Sequence, residues 1–303
     1  MISHLLRKDI DTEKWDRCID NSVNGIFYAY SWVLDMVCPG WNALVMDNYL
    51  AVMPLPNRMK FGVRYIYPPF FLQQLGVFST GSLTETVTES FLKSIPLNYR
   101  YWETTLNTFN RLPNDFKARK LPRRTHELDL SSAYSEIRTG YSQNTLRNLK
   151  KAEKASVFIA SQGRPEEIID AFRTNRGKGL KRMSDADYNT LKHLVYSGIH
   201  RGMVRILSAY DARNSFCAGI IFIKSHHKAL VLFSGRNPIA RQHGAMFLLV
   251  DHFIREFAGN PLILDFEGAT DPNLARFYAG FGSKESVFLQ LSKNRLPLML
   301  RPM

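Results

Sequence analysis

The chain has 303 residues, of which 40 are Lys or Arg and 27 are Asp or Glu, giving a formal net charge of +13. With 45% apolar residues it can bury a sizeable core, so disorder and collagen-like composition are excluded, and its length suits two domains or one large one. Three scattered cysteines, Cys18, Cys38 and Cys217, form no CxxC, which leaves no disulfide framework and no cysteine-based zinc site; no metal is expected. Charges interrupt the first twenty residues, and no apolar run approaches the roughly 18 residues of a membrane span, so the expectation is a cytoplasmic protein without a transmembrane segment.

In the first half the pattern predicts helices over about 11–22 and 30–37, then strands at 42–46 and 50–55 around the turn at Asp47-Asn48. A strand over 62–69 ends at Pro68-Pro69. Ser82 and Glu85 are spaced as a capping box for a helix to about residue 95. Strands at 100–105 and 124–130 follow, with 112–124, rich in charge and carrying Pro113 and Pro122, as an irregular connection.

The second half alternates helix and strand periods with clear punctuation. A helix from Ser142 to about Lys154 places Leu146, Leu149 and Ala152 inward and Arg147, Lys150, Lys151 and Lys154 outward. A strand at 157–161, a helix begun by Pro165 and acidic in its first turn, and a helix begun by the Ser184-x-x-Asp187 box come next. Strands at 203–210, 215–224 and 228–234 read as an antiparallel meander. A polar loop, 235–242, leads to an apolar helix from Gly244 to about Ala258. A buried strand at 262–266, a short helix from Asp271-Pro272 to Gly280 and a strand at 286–291 close the chain.

The charge is concentrated in the second half. From Arg138 to Arg182 there are eleven basic residues against four acidic ones. Such a field favours phosphate-bearing partners, whether RNA, coenzyme A or an anionic surface, and a solvated helix face is the competing reading.

The element order of the second half resembles the GNAT acyltransferase fold, and so do its local residues. Arg241-Gln242-His243-Gly244-Ala245 is similar to the R/Q-x-x-G-x-G/A pyrophosphate loop, with Met246 where the pattern has Gly or Ala. The segment from Asn273 to Gly282 resembles the N-x-x-A-x-x-x-Y-x-x-x-G-F motif. Tyr141 to Ala152 and Asp265-Phe266-Glu267-Gly268 resemble the Fem-type branch, which pairs two GNAT-like halves and transfers amino acids from aminoacyl-tRNA onto cell-wall precursors. The heptad-patterned arm of some Fem-type proteins is missing.

This resemblance implies an α/β (α+β) fold of two tandem GNAT-like domains, 1–135 on the acceptor side and 136–303 carrying donor binding and catalysis. It implies an N-acyltransferase using acyl-CoA (acetyl-CoA) as co-substrate and a small-molecule or peptide amine as acceptor. Fem-type use of aminoacyl-tRNA is the alternative, and a non-catalytic GNAT-like module binding nucleic acid or protein is a third reading. Tyr278 becomes the general acid and Glu267, with Asp265 on the same face, the base or amine-binding carboxylate; a core tyrosine and loop-anchoring carboxylates are the plainer readings. Ser234, Arg236, Asn237, Arg241, Gly244, Ala245 and Asn273 are the expected cofactor-binding residues, and Arg147, Lys150 and Lys151 the phosphate-binding ones. Backbone amides near Phe233 to Gly235, where two strands would part, are placed to polarise the carbonyl.

Overall fold

The computed structural model describes residues 1–161, 163–179, 183–238, 240–268 and 271–296, without the side chains of Ala240 and Arg241. Its chain divides into two units, Met1–Arg124 with Val287–Met303, and Thr125–Ser286.

The first unit opens with β1 (Ile2–Leu5), α1 (Thr12–Asn21), α2 (Ser31–Val37), β2 (Asn42–Met46) and β3 (Ala51–Leu55). The side chain of Asp11 caps α1 by accepting from the Lys14 amide, and its inward stripe buries Trp15, Cys18 and Ile19. The expected strand over 62–69 is present as the shorter β5 (Val63–Ile66), paired in a hairpin with β4 (Asn57–Lys60), which was not expected, and followed by β6 (Phe78–Ser79). Helix α3 (Glu85–Lys93) is capped by Thr84 rather than Ser82, because the Thr84 hydroxyl accepts from the Val87 amide. Strand β7 (Tyr99–Thr105) is followed by β8 (Arg119–Asp129), which takes in the second half of the segment expected to be irregular.

The second unit comprises α4 (Tyr134–Thr139), α5 (Gln143–Lys154), β9 (Phe158–Ala160), α6 (Pro165–Thr174), α7 (Asp185–His200), β10 (Val204–Tyr210), β11 (Phe216–Ser225), β12 (Lys228–Arg236), α8 (Ala240–His243), α9 (Ala245–Phe257), β13 (Ile263–Asp265) and α10 (Pro272–Ala279). Ser184 and Asp187 form the expected reciprocal box at the start of α7. Its strands run in the order β8-β13-β12-β11-β10-β9, with β10-β11-β12 an antiparallel meander. The core gathers Phe222, Leu249, Phe253, Leu264, Phe266 and Phe281, with Phe222 and Phe253 stacked 4.0 Å apart.

The final strand, β14 (Lys284–Asn294), pairs antiparallel with β7 from Gln290↔Thr105 to Asn294↔Tyr101. Leu291 is thereby buried with Phe91 and Trp102, and the first unit completes two sheets, β1-β2-β3-β6 and β4-β5-β7-β14. A division at residue 135 with the C-terminal strand in the second half is thus replaced by one near residue 124, with the chain from Val287 in the first unit. The cause is this antiparallel pairing, which no local pattern encodes.

Candidate active site

Strands β12 and β13 lie parallel for three residue pairs, Lys228↔Ile263, Ala229↔Leu264 and Leu230↔Asp265. Beyond Leu230, β12 continues to Arg236 paired with β11 alone among the described strands. At the same point β12 bulges: Phe222 faces Val231 and Ile221 faces Phe233, leaving Leu232 as the extra residue. A bulge bends and twists its strand, so the parting begins where the backbone changes direction.

Helix α6 forms one wall beside this opening. Gly219 and Gly235 face each other across β11 and β12, and a Cβ at Gly235 would lie 2.0 Å from the Ile168 carbonyl oxygen. One at Gly219 would come within 2.4 Å of the Ile168 side chain, so the glycine pair makes a slot in which α6 rests on the sheet. A cleft of about 1000 Å³ opens between Ser234–Pro238 at the end of β12, the end of α6, the first turn of α9, the N-terminal part of α10 and one side of α5. Among the described residues four cations line it, Lys151, Arg176, Arg236 and Arg276, against the single carboxylate of Asp271. Arg176 reaches Asp271 at 3.3 Å, while Phe247 and Phe277, in edge contact at 4.8 Å, supply apolar wall. This lining suits a ligand with an apolar part and several negative charges.

The predicted residues divide. Ser234, Arg236, Asn237, Asn273 and Lys151 line the cleft. Asn237 also ties β12 to β11, its side chain donating to the Phe216 carbonyl and its backbone N–H to that of Cys217. Arg147 and Lys150 face a second recess of about 650 Å³ with Tyr134 and Arg138. The side chain of Arg241 lies outside the described residues.

Where a phosphate loop was expected, the backbone forms the helical turn α8, and Gly244 breaks it from α9 with φ +68°. A Cβ on Gly244 would fall 2.3 Å from the Asn148 carbonyl oxygen of α5. The absence of a side chain there permits close approach of α5 to α9. Ala245 is fully buried in the core, leaving Met246 and Phe247 to face the cleft.

Asp265, fully buried, accepts from the Thr125 hydroxyl, from Lys228 Nζ at 3.3 Å and from the Glu267 backbone N–H at 2.9 Å. Lys228 Nζ also pairs with Glu127. Burial works against the Lys228 charge, but Asp265 and Glu127 outweigh it and raise its pKa. Asp265 is therefore the acceptor at the centre of a buried network. Glu267, 4% exposed, stands in the left-handed backbone region with φ +53°.

Tyr278 stacks on Phe266 at 4.8 Å, and its ring centre is 6.2 Å from that of His126. Burial pushes the Tyr278 phenol up to about 12; Arg176 opposes this, and Glu267, Asp265 and Asp271 add to it. The phenol thus keeps its proton at neutral pH. His126 is buried with Nδ1 3.0 Å from Ser283 Oγ, and desolvation lowers its pKa despite Glu285 and Ser283, which act to raise it. Sequence reasoning missed His126, Lys228, Arg176 and Arg276 as members of this neighbourhood. Only the alternation of the 124–130 strand bears on His126, and it carries no chemical signal. Among the described residues no cluster of three His, Cys, Asp or Glu could hold a metal, and no helix is long and apolar enough to cross a membrane.

Comparison with solved structures places these features in a known architecture. FemX superposes with a TM-score of 0.63 at 10% identity, over 92% of this chain and 96% of that one. The chain has a tandem GNAT-like fold. L-PGS from Bacillus licheniformis matches with a TM-score of 0.56 at 10% identity, covering 96% of this chain and 94% of its own. A tandem GNAT protein from the clavulanic acid biosynthesis pathway, solved without AcCoA, matches with 0.53 at 12% identity over 98% and 99%. No family model and no curated protein sequence matches the chain. Within this fold the second unit carries the parted strands and the cation-lined cleft beside them.

Proposed function

We propose that this protein transfers an acyl or aminoacyl group from a phosphate-bearing carrier to a primary amine. The observation that carries the reading is the cleft where β12 leaves β13, lined by Lys151, Arg176, Arg236 and Arg276. In the proposed reaction the amine nitrogen attacks the carbonyl carbon, a C–N bond forms and the bond to the carrier's sulfur or oxygen breaks. Glu267 takes the proton from the amine, and Tyr278 gives one to the leaving group. Backbone amides near Phe233 to Gly235 polarise the carbonyl. Asp265 acts as a positioning residue, because its carboxylate fixes the Glu267 amide.

Of two carriers, aminoacyl-tRNA is favoured because the entry to α9 is a packed helix junction at Gly244, preceded by a helical turn and not by an open loop. Helix α5 also presents cations into recesses on both sides, Lys151 to one and Arg147 and Lys150 to the other, as an extended polyanion requires. Acyl-CoA remains the second reading, favoured by the bulge at Leu232 and by a cleft large enough for a bulky carrier.

Filter binding of aminoacyl-tRNA across a salt series and calorimetry with acetyl-CoA separate the two. We expect tRNA affinity that falls steeply with salt and is reduced roughly tenfold by Lys151→Ala with Arg276→Ala. Acetyl-CoA binding without tRNA affinity would reverse the order of the readings. Failure of both carriers to bind would end the proposal.

A further inference from the structure

The hairpin β4–β5 lies far from the chemistry in sequence and belongs to the first unit. Lys60 pairs with Val63, so the loop is two residues, Phe61-Gly62, and both have positive φ, +50° and +75°. That is the backbone of a type I′ turn, for which Asn, Asp or Gly is the ordinary first residue. A phenylalanine there is held in a region that a bulky side chain seldom adopts, and such an outlier points to use of the side chain itself. Phe61 is 93% exposed and Met59 68% exposed. The last buried residue of the hairpin, Ile66, lies four residues back, so the tip stands roughly 13 Å beyond it at the rise of an extended strand.

The charges beside the tip share one sign. From Asn48 to Thr84 the chain carries three cations, Arg58, Lys60 and Arg64, and no carboxylate. All three are exposed, with Lys60 Nζ 5.4 Å from the centre of the Phe61 ring and the Arg58 guanidinium 4.3 Å from that of Tyr67. An aromatic ring and a thioether at the end of a thin ribbon, with cations set behind them, match the layering of an anionic bilayer. The ring enters the acyl boundary while the ammonium and guanidinium groups stay at headgroup level.

We propose that the β4–β5 hairpin is a peripheral membrane anchor, inserting Phe61 and Met59 into a bilayer rich in anionic lipid with Lys60, Arg58 and Arg64 against its headgroups. Charge complementarity selects this occupant over a neutral surface. The anchor is reversible, because one ring and one thioether bury little apolar area and the cations act only within the Debye length.

The test is co-sedimentation of the full chain with vesicles of equal parts phosphatidylglycerol and phosphatidylcholine, and with phosphatidylcholine alone, at low and high salt. Binding is expected only to the anionic vesicles and is expected to weaken with salt. Phe61→Ser with Met59→Ser should reduce the bound fraction about tenfold, and Lys60→Glu should reduce it as well. Phe61 is almost fully exposed, so unchanged thermal unfolding is the control. In a second measurement, Phe61→Trp gains emission that brominated lipid quenches beyond the wild-type level, which is set by buried Trp15, Trp41 and Trp102 and half-buried Trp32. Absence of wild-type binding, equal binding to neutral vesicles, or full binding by the Phe61→Ser, Met59→Ser variant would each overturn the proposal.

Discussion

The carbonyl oxygen of Asn148 sits so close to the Cα of Gly244 that a Cβ there would meet it at 2.3 Å. Two helices, α5 and α9, therefore share a contact that only glycine permits, and the entry to α9 is a packed junction.

Gly244→Ala should accordingly cost about 2 to 5 kcal/mol, the sum of a left-handed alanine and an overpacked contact. Urea unfolding measures this. A variant with unaltered stability and lost ligand binding would instead return Gly244 to the phosphate-loop role.

The network under the strand parting makes a second prediction. Lys228→Met leaves Asp265 and Glu127 without their shared cation, and breaking a buried pair in this way costs about 3 to 5 kcal/mol. Adding Asp265→Asn should recover part of the loss, so a double-mutant cycle reads the coupling. The raised pKa of Lys228 sets the alkaline dependence. Its contribution is complete below the unfolded-state value near 10.4 and is lost as pH rises through the folded value, and Lys228→Met should flatten that limb.

His126 acts at the opposite end of the pH scale. Burial holds its folded pKa below the ordinary histidine value of about 6.5, so the unfolded chain takes up the proton first as pH falls. The stability it contributes is present above about 6.5 and declines below it through the folded value. Comparing melting temperatures of wild type and His126→Gln at neutral and mildly acidic pH should show a smaller acid loss in the variant.

Tyr278→Phe keeps the ring on Phe266 and removes only the phenol. If the phenol delivers the proton proposed above, kcat should fall by about 10²- to 10⁴-fold while unfolding midpoints stay nearly unchanged. A variant with wild-type turnover would leave Tyr278 as a packing residue.

Local signals were legible and remote ones were not. Ser142 and the Ser184-Asp187 box mark helix starts because capping involves residues three apart, Pro165 does so because its ring fixes the first helical φ, and the meander shows because its turns are short. Strand β8 was hidden from Arg119 to Arg124, since an exposed, charged strand containing Pro122 has the composition of a loop. Helix α4 is six residues long, too short to display a period. The hairpin around Phe61-Gly62 lacks the residues that announce its turn. At the site, Asp265, Glu267 and Tyr278 could be named together because motif order places them near one another. Lys228, His126 and Arg176 join them only through strand pairing and helix docking, which leave no trace at short range.

The backbone at Glu267 carries a longer-term implication. Its φ of +53° favours Asn or Gly over glutamate. Over many generations of neutral substitution, that preference draws the position toward those two amino acids. An acidic residue retained across diverged descendants would therefore record selection for the carboxylate against the grain of its own main chain.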